Sequence, residues 1–162
     1  MQNLEKIRKQ WSAEIPDLDT SGMALIGRLQ IMHKHMSSVM SDTFRQFGLT
    51  DAGFDVLATL RRSGQPYRLT PKQLLEQMLI TSGSMTSRLR LLEKKGWINR
   101  EPDENDGRVV WVNLTRSGLT LSDMVIYQHV STQAKLLSVF SDDECGQLTQ
   151  QLRDYLLRQG LE

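Results

Sequence analysis

The chain has 162 residues, 39% hydrophobic and 24% charged, with a net charge of +1 and a single cysteine, Cys145. That is the make-up of one ordinary globular unit with a packed core, and it excludes a disordered tail, a collagen-like rod and a disulfide scaffold. One cysteine makes neither an intrachain disulfide nor a Cys-rich zinc site, no run approaches the roughly 18 apolar residues of a membrane span, and the polar start from Met1 to Trp11 is no signal-peptide core. The expectation is a cytoplasmic protein with no membrane partner and no cofactor.

The charge is unevenly placed. Between Arg61 and Arg100 lie nine basic residues (61, 62, 68, 72, 88, 90, 94, 95 and 100) against two acidic ones (76 and 93), for +7, while the remainder sums to −6. A polyanion is drawn to that middle stretch.

In chain order, Leu4 to Glu14 reads as a short extra helix that Pro16 ends. From Asp19 to Phe47, Met23, Ile26, Leu29, Met32 or His33, Met36, Val39, Met40 and Phe44 recur at helical spacing, and Gly48 closes this long helix. Thr50-Asp51 caps a second helix carrying Phe54, Val56, Leu57 and Leu60, closed by Ser63-Gly64. Gln65-Pro66 makes a turn, and Tyr67 to Leu69 is short enough only to add an edge to a small sheet. Thr70-Pro71 opens a two-turn helix through Leu74, Leu75 and Met78, with Thr as cap and Pro at the first helical position. Thr81 or Ser82 is the expected cap of the next helix, near 82–95, whose apolar stripe is Met85, Leu89 and Leu92 and which Lys95-Gly96 ends. Trp97 to Arg100 and Arg108 to Leu114 then form two β-runs around a polar turn with Asp106-Gly107, a hairpin with its wing near 101–109. Thr115-Arg116-Ser117-Gly118 caps a long helix to about Phe140. Ser141-Asp142-Asp143-Glu144 is a capping box for the last helix, which aligns Cys145, Leu148, Leu152, Tyr155 and Leu156 on one face.

This order is that of a winged helix-turn-helix: mainly α with a small β-hairpin wing, one domain over 1–162, its DNA-binding region at 50–114 and its dimerisation helices at about 1–47 and 116–162. At 100° per residue, with Met85, Leu89 and Leu92 facing inward, Gly83, Thr86, Ser87, Arg90 and Lys94 fall on the opposite side of the helix. Small hydroxyl residues let a helix approach a major groove, Arg90 can bond guanine edges, and the first turn, with Ser82 and Ser84, can meet a phosphate. In the wing, Asp106 is expected to pair with Arg108 and hold the guanidinium forward, as narrow A/T-rich minor grooves attract arginine.

At the residue level the chain resembles the MarR family of bacterial regulators over about residues 20–160. The matching pieces are Leu49-Thr50 before Val56-Leu57, Met85-Thr86-Ser87-Arg88-Leu89, Leu92-Glu93-Lys94-Lys95-Gly96-Trp97-Ile98-Asn99-Arg100, Asp106-Gly107-Arg108 and Val112-Asn113-Leu114-Thr115-Arg116-Ser117-Gly118. The resemblance implies a homodimeric, ligand-responsive regulator, a repressor on palindromic double-stranded DNA, with Arg108 entering the minor groove. It extends to members that respond to urate, which carry a Trp in an extra N-terminal helix, an Asp before the helix-turn-helix, an Arg in the recognition helix and another just beyond. Trp11, Asp55, Arg88 and Arg100 stand at the matching places. By the helical period Arg88 lies about 70° from the centre of the apolar stripe, flanking the core. Arg88 and Arg100 would hold an anionic purine or aromatic acid, Trp11 would stack on its ring and Asp55 would accept its N–H groups, in competition with an Asp55–Arg88 pair.

Two other readings stand beside this one: a thiol-based redox sensor through Cys145, and a winged helix for protein or RNA contact. Cys145 is expected to be a buried, inert thiol. His33 and His35 point to different sides of their helix and His129 is remote, which leaves no metal site. Without a phosphate-binding Gly loop, a Gly-x-Ser-x-Gly or a His/Asp/Ser cluster, the chain is not expected to be an enzyme.

Overall fold

A computed structural model describes residues 4–78 and 84–162. The elements are α1 (Leu4–Glu14), α2 (Ser21–Gln46), α3 (Asp51–Arg62), β1 (Arg68–Leu69), α4 (Pro71–Gln77), α5 (Met85–Lys94), β2 (Ile98–Pro102), β3 (Val110–Leu114), α6 (Arg116–Leu137) and α7 (Asp142–Arg158). The chain divides into two compact units, residues 1–41 and 42–162, with the boundary inside α2.

In the first unit α1 is tied by polar contacts: Arg8 Nε donates to the Thr20 hydroxyl at 3.2 Å, and Glu5 accepts from Arg28 at 2.7 Å. Its apolar side chains are largely uncovered. Met23, Ile26 and Leu29, the start of the apolar stripe, remain 44%, 57% and 40% exposed, and α1 has no buried residue.

The second unit holds the core. Val56, Leu57 and Leu60 of α3, Leu74 of α4, Leu89 and Leu92 of α5, Ile98 and Val112 of the sheet and Val125 of α6 are all at most 2% exposed. The apolar period read from the sequence is thus the buried face of α3 and α5. The sheet is antiparallel in the order β1-β3-β2, with Leu69 opposite Val112 and Ile98 opposite Leu114, so the two-residue edge expected around 67–69 does form. Arg61 donates to the Asp123 carboxylate at 2.6 Å, joining α3 to α6. Phe44 stacks on Phe54 with centroids 4.2 Å apart, and His129 of α6 closes the cluster at 5.4 and 4.9 Å from the two rings.

The face read on the last helix is present but uncovered within the chain. No residue of α7 is buried; Leu152 and Tyr155 are 41% and 60% exposed. Cys145, expected to be buried, is accordingly half-buried. Among the described residues no helix is long and apolar enough to cross a membrane, and no group of three or more His, Cys, Asp or Glu gathers as a metal site would.

Candidate nucleic-acid interface

The frame of the site is built by helix caps. Thr70 and Gln73 form a capping box at α4 with Pro71 just inside it, and Arg62 holds the other end of α4 through the Gln77 carbonyl. The cap of α5 is Ser84, whose hydroxyl accepts the Ser87 amide at 3.4 Å, rather than Thr81 or Ser82. The described helix therefore starts at Met85. Thr81, Ser82 and Gly83 lie outside the described residues, so the position of Ser82 is not part of this geometry; the Ser84 side chain is engaged as the cap. At its far end α5 closes with Gly96 at φ +72°: the Gly96 amide donates to Glu93 and the Trp97 amide to Leu92, at 2.9 and 3.1 Å. That paired pattern needs a left-handed residue after the cap, and glycine adopts it without strain.

With Leu89 and Leu92 buried, the face of α5 carrying Thr86, Ser87, Arg90 and Lys94 is exposed, as the helical period requires. The basic stretch is sorted by its contacts. Arg61 is held by Asp123, Arg62 by Gln77 and Arg100 by Glu93, while Lys72 has only an exposed ion pair with Glu76 at 4.0 Å. Arg68 lies over the Trp111 ring, the Lys95 ammonium donates to the Gly48 carbonyl, and Arg88 also has a partner. Of these nine cations, Arg90 and Lys94 alone have no partner among the described residues. Both are on the outward face of α5.

The wing is formed by β2, β3 and the turn 103–109 between them. Arg108 is exposed, and among the described residues no carboxylate reaches its guanidinium. The expected side-chain pair with Asp106 is replaced by a backbone bond: the Asp106 carboxylate accepts the Arg108 amide at 3.0 Å. Two residues apart in a turn, an Asp side chain reaches the following amide more readily than a long guanidinium folds back to it. Asp103, which the sequence did not single out, organises the turn. Its carboxylate accepts the Trp111 indole N–H at 2.8 Å and the Asn105 and Asp106 amides at 2.9 and 3.0 Å. These donors hold its carboxyl below the usual carboxylate range. The Asp-x-Asn-Asp spacing was the signal that could have found it.

The candidate effector residues are distributed as follows. Arg88 lines a cavity of about 200 Å³ with Leu49, Thr50, Leu91, Lys95 and Trp97. Arg100 lines a separate, more open groove with Pro71, Met85, Thr86 and Val110. Its guanidinium is bound along one edge by Glu93, from Nε at 3.1 Å and Nη2 at 2.5 Å to the same carboxylate oxygen. That contact holds the Glu93 carboxyl below its usual value and ties the recognition helix to the first wing strand. Asp55 is 9% exposed within α3, and it too has a partner. Trp11, in the first unit, is 40% exposed.

Comparison with known proteins agrees with this geometry. The sequence profile of the MarR family matches residues 47–109. The HTH-type transcriptional regulator PecS of Dickeya dadantii (strain 3937) is 39% identical over 138 residues, covering 85% of this chain and 83% of the relative. A MarR-like transcription regulator of Bacillus cereus ATCC 10987 shares the fold with a TM-score of 0.77 at 21% identity, covering 89% of this chain and all of that one. A mutant of E. coli MarR complexed with operator DNA superposes with a TM-score of 0.67 at 26% identity, covering 94% of this chain and 98% of that one.

Proposed function

The chain belongs to the MarR family of transcriptional regulators, and from that premise we propose that it acts in the cytoplasm as a homodimeric repressor, released from a palindromic operator by a small aromatic anion. The observation that carries the DNA-binding surface is the sorting of the basic stretch: among the described residues Arg90 and Lys94 have no partner on the outward face of α5, and Arg108 has none for its guanidinium in the wing. A cation held by an internal carboxylate has little left for a phosphate or a base edge, whereas these three have no such competitor. Thr86, Ser87 and Arg90 would read the major groove, Lys94 would contact phosphate and Arg108 the minor groove. A second copy covers the apolar residues that α1, α2 and α7 leave exposed, and its two-fold axis sets half-sites about one helical turn apart.

The effector reading centres on Arg100, since Arg88, grouped with it by the sequence, lines a separate cavity. An aromatic acid at Arg100 competes with Glu93 and so releases the wing strand from the recognition helix. Urate is the first candidate; phenolic acids likewise present a planar ring and a single negative charge. The test is a gel shift on duplex DNA from the chain's own promoter region at stated salt, repeated with urate, alongside a tryptophan fluorescence titration. The expected result is a shifted complex that weakens steeply with salt and is released by urate. Absence of a complex with any duplex at low ionic strength overturns the DNA reading, and unquenched fluorescence at millimolar urate overturns the urate assignment.

A further inference from the structure

The wing turn is supported from the sheet beneath it by residues that have no place in the DNA-binding surface described above. The β2–β3 ladder ends at Pro102 opposite Val110, and one further rung follows, the Asp103 amide donating to the Val109 carbonyl at 2.9 Å. From that rung the Asp103 carboxylate works in two directions. One oxygen accepts the amides of Asn105 and Asp106 inside the turn; the other accepts the indole N–H of Trp111 on β3. The turn cannot swing about its strand ends without breaking at least one of these bonds. Trp111 is itself backed by Arg68, whose guanidinium carbon lies 4.6 Å from the ring centroid. Arg68 is on β1, directly opposite Asn113, so it shares the face that carries Trp111 two residues away. The line of support runs from the edge strand through Trp111 and Asp103 into the turn. There Asp106 passes it to the Arg108 amide at 3.0 Å and, through its carbonyl, to the Val109 amide at 2.9 Å. Every link is fixed except the Arg108 guanidinium, which is left exposed at the end.

We propose that Arg68, Trp111 and Asp103 form a brace that sets the direction in which the wing presents Arg108, making them positioning residues for minor-groove contact rather than contacts themselves. The inference rests on the reading that Arg108 enters the minor groove. The turn adds nothing to the buried core, whose sheet residues are Leu69, Ile98 and Val112, so the brace acts on the wing and not on the stability of the unit. A pre-set wing avoids the ordering cost that a mobile arginine meets on binding. The preference for A/T over G/C flanks, which comes from groove width at the arginine, then depends on the brace.

The test uses the full-length homodimer and a duplex selected from random-sequence DNA, prepared with A/T-rich and G/C-rich flanks. Trp111→Phe keeps a ring beneath Arg68 and removes only the N–H donor; Asp103→Ala removes the carboxylate. Each is made in the wild-type and in an Arg108→Ala background. The expected result is an affinity about three- to tenfold weaker on the A/T-flanked duplex, little change on the G/C-flanked one, and no further loss once Arg108 is alanine. Equal loss in both backgrounds or on both flanks makes the three residues general structural elements and overturns the proposal. If Arg108→Ala alone leaves affinity unchanged, it is the minor-groove reading that fails. The brace is read independently of DNA from the Trp111 indole cross-peak and the backbone order of 104–108 by NMR. If Asp103→Ala alters neither, the brace does not exist.

Discussion

Arg90 and Arg108 are both exposed cations on the candidate DNA surface, yet they ask for different outcomes. Arg90, on a rigid helix among hydroxyl neighbours, is placed for a base edge; Arg90→Ala is expected to cost about 1–3 kcal/mol on the best site and relax the preference at one or two positions, measured by binding to a panel of single-base variants. Arg108→Ala is expected to weaken binding while leaving the major-groove consensus in place. His129 makes a prediction about stability. Packed against Phe44 and Phe54, with no partner for its Nδ1 among the described residues, it has its pKa lowered by burial. A histidine that protonates more readily unfolded than folded favours unfolding as the pH drops through the ordinary histidine value of 6.5 and below. Thermal midpoints measured from pH 7.5 down to about pH 5 should therefore fall, and His129→Phe, which keeps the stack, should remove part of that slope. An unchanged slope would show that His129 takes up its proton equally in the folded and unfolded states, so that burial does not lower its pKa. At this scale the sequence disclosed residue types and faces, so Thr86, Ser87, Arg90 and Lys94 were legible. Partners were not: nothing in the spacing of Glu93 and Arg100 announces their ion pair, because it forms across the helix-to-strand turn.

The elements depend on a few close approaches. Where α6 begins, Thr115 and Ser117 donate their hydroxyls to the Gly96 carbonyl at 2.7 and 2.9 Å, and the Thr115 amide donates to the Trp97 carbonyl at 3.1 Å. A β-carbon on Gly118 would lie 1.8 Å from the Trp97 carbonyl oxygen, a backbone atom that cannot rotate away. The end of the recognition helix and the start of α6 are thus held at a distance only glycine permits. Gly118→Ala is expected to destabilise the protein by about 3 kcal/mol, the upper end of what overpacking costs, and to lower DNA affinity through the displaced helix; denaturant unfolding checks the first effect and a binding titration the second. Most element boundaries could be read from caps, since Thr50, Thr70, Thr115 and Ser141 all act as read. The exception is α5: with several serines and threonines in succession before Met85, local chemistry offers more than one cap, and the structure places it at Ser84.

For the whole molecule the feature that asks for an explanation is the amount of uncovered apolar surface. Leu25 and Ile26 of α2, Val130 of α6 and Tyr155 of α7 are 63%, 57%, 55% and 60% exposed. Scattered single residues of this kind are ordinary on a surface; concentrated on long terminal helices they mark a face awaiting a partner. Sedimentation equilibrium is expected to give twice the 18.6 kDa chain mass. Ile26→Asp is expected to shift that equilibrium toward monomer and to reduce operator affinity along with it, because two half-sites would no longer be bound together. A monomeric wild type that still binds a palindrome tightly would defeat the dimer reading.

Periodicity, caps and turn chemistry act over a few neighbouring residues, and for that reason the amino-acid sequence by itself determined the order of helices and strands, the outward face of α5 and the place of the wing. Pairings between residues distant in the chain or lying across a turn depend on how the elements pack, and only the tertiary structure decided them. It bound Arg61, Arg62, Lys95 and Arg100 to internal partners and left Arg90 and Lys94 free of any among the described residues. It also turned Asp106 to a backbone amide and made Asp103 the centre of the wing. A linear string records which charges a chain carries; which of them remain available to DNA depends on the short distances that folding creates, where a carboxylate or carbonyl a few ångströms away outweighs anything sequence spacing can express.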